Sequence, residues 1–100
     1  MGKREDKITA EIKKYLDSLP RSQVKYFKIS DRFTSGVPDF ILNYRGCFLA
    51  VEVKRTGGKP RKLQAHVIKR LNEVKEGAAT SVDNVEDLKA ALVHIDMRFI

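Results

Sequence analysis

The sequence predicts an α/β chain in which helices flank a mixed β-sheet, in the order α-β-β-β-α-β-α. Three observations carry that reading. Apolar residues recur at three- and four-residue spacing near residues 5–18, 60–76 and 85–95, the signature of amphipathic helices. Short runs near residues 23–30, 36–54 and 78–82 follow strand periodicity or stay apolar throughout. Pro20, the Gly57-Gly58 pair and Gly77 fall between these segments as breaks. With 100 residues, the chain is read as a single domain, 1–100, with one modest core.

Residues Glu5 to about Ser18 form the first helix. Ile8, Ile12, Tyr15, Leu16 and Leu19 make one apolar stripe, and Pro20 ends it. Glu11 sits at the edge of that stripe. On pattern alone it is a boundary residue pairing with Lys7, Lys14 or Tyr15. Gln23 to Ser30 reads as a strand, with Phe27 and Ile29 on one face and Val24, Tyr26 and Lys28 on the other. Asp31 to Gly36 is a polar loop. Its hydroxyls and Arg32 suit a phosphate path, and an ordinary loop accounts for them equally.

The stretch from Gly36 to Lys54 is a hairpin around which the rest is organised. A two-residue turn at Arg45-Gly46 pairs Tyr44 with Cys47 and so fixes every later pair. It sets Phe40 against Val51, Leu42 against Leu49 and, one step further, Asp39 against Glu52. Directly opposed side chains share a face, and Lys54, two residues past Glu52, lies on that face too. Two carboxylates side by side repel unless one is protonated or a cation lies between them. A hard divalent cation such as Mg²⁺ suits them, and Lys54 is placed to touch a phosphate oxygen or a water. Cys47 falls on the apolar face and reads as core.

Past Lys54, the Gly57-Gly58 pair reads as a flexible connection, and Pro60 opens a helix that runs to about Glu76. Leu63, Val67, Leu71 and Val74 are its core stripe. Lys59, Arg61 and Lys62 crowd its first turn, where cations oppose the helix dipole and a phosphate backbone would compensate. Gln64 lies about 100° round from Leu63, at an edge of the buried face. Ala78 to Val82 is a short strand. Asn84 caps a last helix with Val85, Leu88, Ala91, Leu92 and Ile95 on one side. Met97-Arg98-Phe99-Ile100 ends the chain on apolar residues suited to packing on the core or on a second subunit.

Composition narrows the class. The formal net charge of +7, from 20 basic and 13 acidic residues, attracts a polyanion, of which nucleic acid is the commonest. An apolar run of membrane-span length and a signal-peptide core are both absent from the sequence. One cysteine excludes an internal disulfide and fits a reducing compartment. The two histidines are far apart and no zinc spacing occurs.

Ser35-Gly36-Val37-Pro38-Asp39-Phe40, then Val51-Glu52-Val53-Lys54-Arg55 and the following Lys62-Leu63-Gln64, resemble the PD-(D/E)XK nucleases. Among these the VRR-Nuc branch is the most similar. The resemblance implies a restriction-endonuclease-like core and hydrolysis of phosphodiester bonds in DNA. It implies Mg²⁺ or Mn²⁺ held by Asp39, Glu52 and the Val53 carbonyl, with Glu11 direct or through water. Lys54 and Gln64 would act on water or phosphate, and Arg32, Lys59, Arg61 and Lys62 would meet the DNA. It further implies the cytoplasm of a bacterium or phage-infected cell, and a homodimer acting on branched DNA, with Holliday junctions leading. Two-fold symmetry matches a four-way junction, and the apolar C-terminus offers interface material. A rival comes from element order. Helix, three antiparallel strands and a helix with a basic start is also the layout of double-stranded-RNA-binding domains. That rival gives no reason for carboxylates on a phosphate-binding surface.

Overall fold

The computed structural model describes residues 2–29 and 36–100. The loop reading for residues 31–35, and with it Arg32, lies outside these. The order is the expected one: α1 (Glu5–Ser18), β1 (Val24–Lys28), β2 (Phe40–Tyr44), β3 (Cys47–Val53), α2 (Lys62–Val74), β4 (Ala79–Val82) and α3 (Val85–Phe99). The strands form one sheet, β1-β2-β3-β4, antiparallel except for the parallel β3–β4 pair. That parallel pair needs the α2 crossover. It also takes the chain out of the three-stranded RNA-binding layout.

The hairpin register is the one the turn dictates, with Tyr44 opposite Cys47 and Phe40 opposite Val51. Arg45 and Gly46 both have positive φ, 52° and 89°, as a type I′ turn requires. Arg45 is held there by an ion pair to Asp96 at 2.9 Å and by its backbone N–H donating to Gln23 O at 2.7 Å.

One face of the sheet carries the core. Phe40, Leu42, Leu49, Val51, Val53 and Val82 point into it, covered by Ile8, Ile12 and Leu16 of α1 and by Leu88, Leu92 and Ile95 of α3. Asn84 caps α3 as its sequence suggests, its Oδ1 accepting from Asp87 N at 2.8 Å. Cys47 is buried in this core.

Four expectations change. β1 is shorter than the run 23–30, ending at Lys28. α2 begins after Pro60, with Arg61 as its N-cap, and ends at Val74. Its stripe is not a core stripe: no α2 residue is fully buried, and Leu63 and Val74 are exposed. The reason is position, because α2 lies on the sheet's second face, where no other helix among the described residues meets it. The C-terminal residues do not join the core either. Met97 and Ile100 are exposed, and Phe99 sets its edge against His94 and its face under the Lys75 ammonium.

Candidate active site

Asp39 and Glu52 meet at the sheet end where β2 begins and β3 finishes. Two local devices put Asp39 there. Gly36 has φ +84°, and a Cβ on it would lie 3.0 Å from Val67 and 3.2 Å from Leu63, so the entering loop seats tightly on α2. The Asp39 backbone carbonyl then accepts from Ile29 N at 2.7 Å, extending the β1–β2 ladder by one residue pair. The carboxylate turns toward β3, where Oδ2 accepts from Val53 N at 2.7 Å. Glu52 is fixed by the β3–β4 pairing, opposite Ser81.

Glu52 is buried, 4% exposed, and so is Lys54, whose Nζ stands 3.6 Å from Glu52 Oε1. The same oxygen accepts from Gln64 Nε2 at 3.0 Å. Gln64 faces both ways, its Oε1 accepting from Arg61 N at 2.9 Å. It thereby caps α2 and ties the helix start to the carboxylate. Burial chiefly, and the neighbouring Asp39 next, push the Glu52 carboxyl up to about 7, against the opposing pull of Lys54.

A residue that strand alternation did not single out also joins the group. Lys28 Nζ lies 3.8 Å from Asp39 Oδ1, over the Phe40 ring at 5.7 Å, and donates to Ile29 O at 2.9 Å. The available signal was its register: Lys28 pairs with Phe40, next to Asp39. The segment after Lys54 is more tightly held than a flexible connection. Asp83 Oδ2 accepts from Gly57 N at 2.8 Å, which lowers its pKa, and Lys3 and Thr56 exchange backbone and hydroxyl bonds at 3.0 and 2.7 Å.

Glu11 is placed differently from its sequence partners. Its carboxylate is paired with Lys3 Nζ at 3.0 Å, not with Lys7, Lys14 or Tyr15. Among the described residues no three His, Cys, Asp or Glu side chains cluster as metal ligands, so Glu11 does not join Asp39 and Glu52 in one such set. Lys59, Arg61 and Lys62 are exposed at the start of α2, beyond Gln64.

The donor set fits a hard divalent cation. It consists of carboxylate oxygens, one of them buried and held above its ordinary pKa partly by the other, and a cation between them relieves that conflict. The lysines supply donors for phosphate oxygens. The arrangement can therefore gather a phosphate, a cation and a water at one end of the sheet.

No family model matches the chain, and no curated protein does. Among solved structures it is similar to one described as a VRR_NUC domain, with a TM-score of 0.70 and 20% sequence identity, over 96% of this chain and 97% of that one. The likeness is one of fold, and it spans all seven elements' worth of chain.

Proposed function

We propose that the chain is a VRR-Nuc-type nuclease that hydrolyses phosphodiester bonds in DNA. The observation that carries this reading is the half-exposed Asp39 beside the buried Glu52 and Lys54 at the end of a sheet whose fold is that of a VRR_NUC domain. Asp39, Glu52 and the Val53 carbonyl would hold Mg²⁺ or Mn²⁺, with Glu11 contributing through water once released from Lys3. Such an ion, when bound, would supply acidification of water and neutralisation of charge on the phosphate. Lys54 steadies the scissile phosphate or the attacking water through its ammonium. Gln64 keeps Glu52 aimed, and Lys28 keeps the pair from carrying its full negative charge in the absence of the ion. Lys59, Arg61 and Lys62, with Arg32, grip the backbone.

The working unit is read as a homodimer on branched DNA, with four-way junctions the leading substrate, in the cytoplasm of a bacterium or phage-infected cell. Two sites related by two-fold symmetry suit two strands. Val93, Met97 and Ile100 expose apolar surface at the end of α3, away from the site, as interface material.

The test is cleavage of junction, flap, nicked and linear duplex substrates in Mg²⁺ and Mn²⁺, with light scattering for mass. Asp39→Ala, Glu52→Ala and Lys54→Ala should each lose cleavage while the fold, followed by circular dichroism, is kept. Full activity of Asp39→Ala removes the site assignment, and cleavage in excess chelator removes the metal. A monomer that prefers flaps ends the junction reading and leaves the nuclease.

A further inference from the structure

The second face of the sheet is only half covered. Gln64 and Asn72 tie α2 to β3 and β4: Gln64 holds Glu52, and Asn72 brackets Ala79 through hydrogen bonds to its N–H at 2.9 Å and its C=O at 3.1 Å. Over β1 and β2 the face stays open among the described residues. Phe27 is 58% exposed and Phe48 43%, with Ile41 between them on the same face. Asp39 and Glu52 belong to that face as well. Phe27 pairs with Ile41, two residues from Asp39, so the ring lies roughly 7 Å along the strand from the carboxylate.

Two aromatic rings presented to solvent beside a phosphate-handling group have a chemical use. Bases stack on aromatic side chains, and a basic surround holds the accompanying backbone. Lys25 Nζ stands 5.1 Å from the centre of the Phe27 ring. α2, at the border of the open half, carries exposed Lys62, Lys69 and Arg70 against the single acid Glu73. By strand spacing the two rings stand roughly 12 Å apart. That is far wider than the roughly 3.4 Å between stacked bases, so bases seated on both must be splayed. Single strands permit this and a paired duplex does not.

A second copy of the chain fits the same face less well. At their observed exposures the two rings offer on the order of 200 Å² of apolar surface, where a stable interface takes about 800 Å² from each partner. A copy there would also cover the carboxylates and bring like charges together.

We propose that the open half of this face seats an unpaired DNA strand, its bases on Phe27 and Phe48 and its phosphates toward Lys25 and α2. The inference rests on the nuclease reading and departs from its junction substrate, whose strands are all paired: the substrate carries a single-stranded segment next to the bond that is cut.

The experiment measures anisotropy of a labelled single strand of roughly 12 nucleotides, and of the same sequence as duplex, in excess chelator so that nothing is cleaved. Phe27→Ala and Phe48→Ala should each weaken single-strand binding on the order of 5- to 100-fold, with duplex binding unchanged. Phe27→Tyr should restore it, and Phe27→Leu should not, because an apolar group without a ring cannot stack. The proposal is overturned if wild-type protein binds no single strand, or if the alanine variants bind it as wild type does. Equal loss of single strand and duplex overturns it too. So does a wild-type dimer that turns monomeric in Phe27→Ala, which would give the face to a second copy. Cleavage in Mg²⁺ is scored separately. Phenylalanine-dependent binding without any cleavage keeps the seat and discards the nuclease; cleavage without that binding does the reverse.

Discussion

The two faces of the sheet carry phenylalanines of opposite fate. On the inner face Phe40 is fully buried between α1 and α3, while on the outer face Phe27 and Phe48 are half exposed. All three arise from the same strand alternation, so periodicity does not separate them. What differs is the number of helices above each face. Among the described residues, two helices with continuous apolar stripes close the inner face, and one helix with no buried residue borders the outer one. The inner face is thus the stability of the molecule. The outer face holds the Asp39, Glu52 and Lys54 group, with Phe27 and Phe48 exposed on the same face.

That contrast is most exposed to test at its inner end. Phe40→Ala should cost about 3–5 kcal/mol, as for other buried aromatics, measured by urea denaturation. A loss under 1 kcal/mol would mean the inner face is not the chief source of stability. The basic border of the outer face, proposed above to meet DNA, comes next. Neutralising Lys59, Arg61 and Lys62 together should weaken duplex binding and flatten its dependence on log salt by about 0.9 per lost contact. An unchanged slope moves the DNA path elsewhere.

Glu52 gives a smaller effect with a definite sign. Its carboxyl is pushed up to about 7 in the fold, above its ordinary value, chiefly by burial. The stabilisation from its protonated form is therefore fully present below the ordinary carboxyl pKa and is lost as pH rises through about 7. In chelator, the melting temperature of wild type relative to Glu52→Gln should fall between about pH 4.5 and pH 7 and level off above that. A difference independent of pH would place that charge in water, not in the site. The smallest effect closes the comparison: Phe27→Ala and Phe48→Ala should change stability by about 0.5 kcal/mol or less, as surface substitutions do. A loss near that of Phe40→Ala would show the outer face to be core.

Much of the site was legible because its placement is local. Arg45-Gly46 admits a two-residue turn, both residues take positive φ, and from there the period of two carries Asp39 to Glu52 and Lys54 to the same face. Asn84 before an apolar stripe likewise announces its own helix. Lys28 escaped because its neighbour is across a strand pair, and Glu11's partner escaped because Lys3 comes from a segment held by Thr56 far along the chain.

By itself, then, the sequence determined what neighbouring residues decide: the element order, the hairpin register, the α3 cap, and the opposition of two carboxylates. These follow from backbone sterics and short-range periodicity, which act before any tertiary contact forms. Only the tertiary structure decided how far α2 covers its face. A helical stripe says that a helix has an apolar side, but the burial of that side depends on what stands opposite. Here the parallel β3–β4 pair sets α2 along one edge of the sheet, with Gln64 on Glu52 and Asn72 on Ala79. Among the described residues Leu63 is left half exposed and the rings of Phe27 and Phe48 largely uncovered, because one helix is too narrow to span four strands.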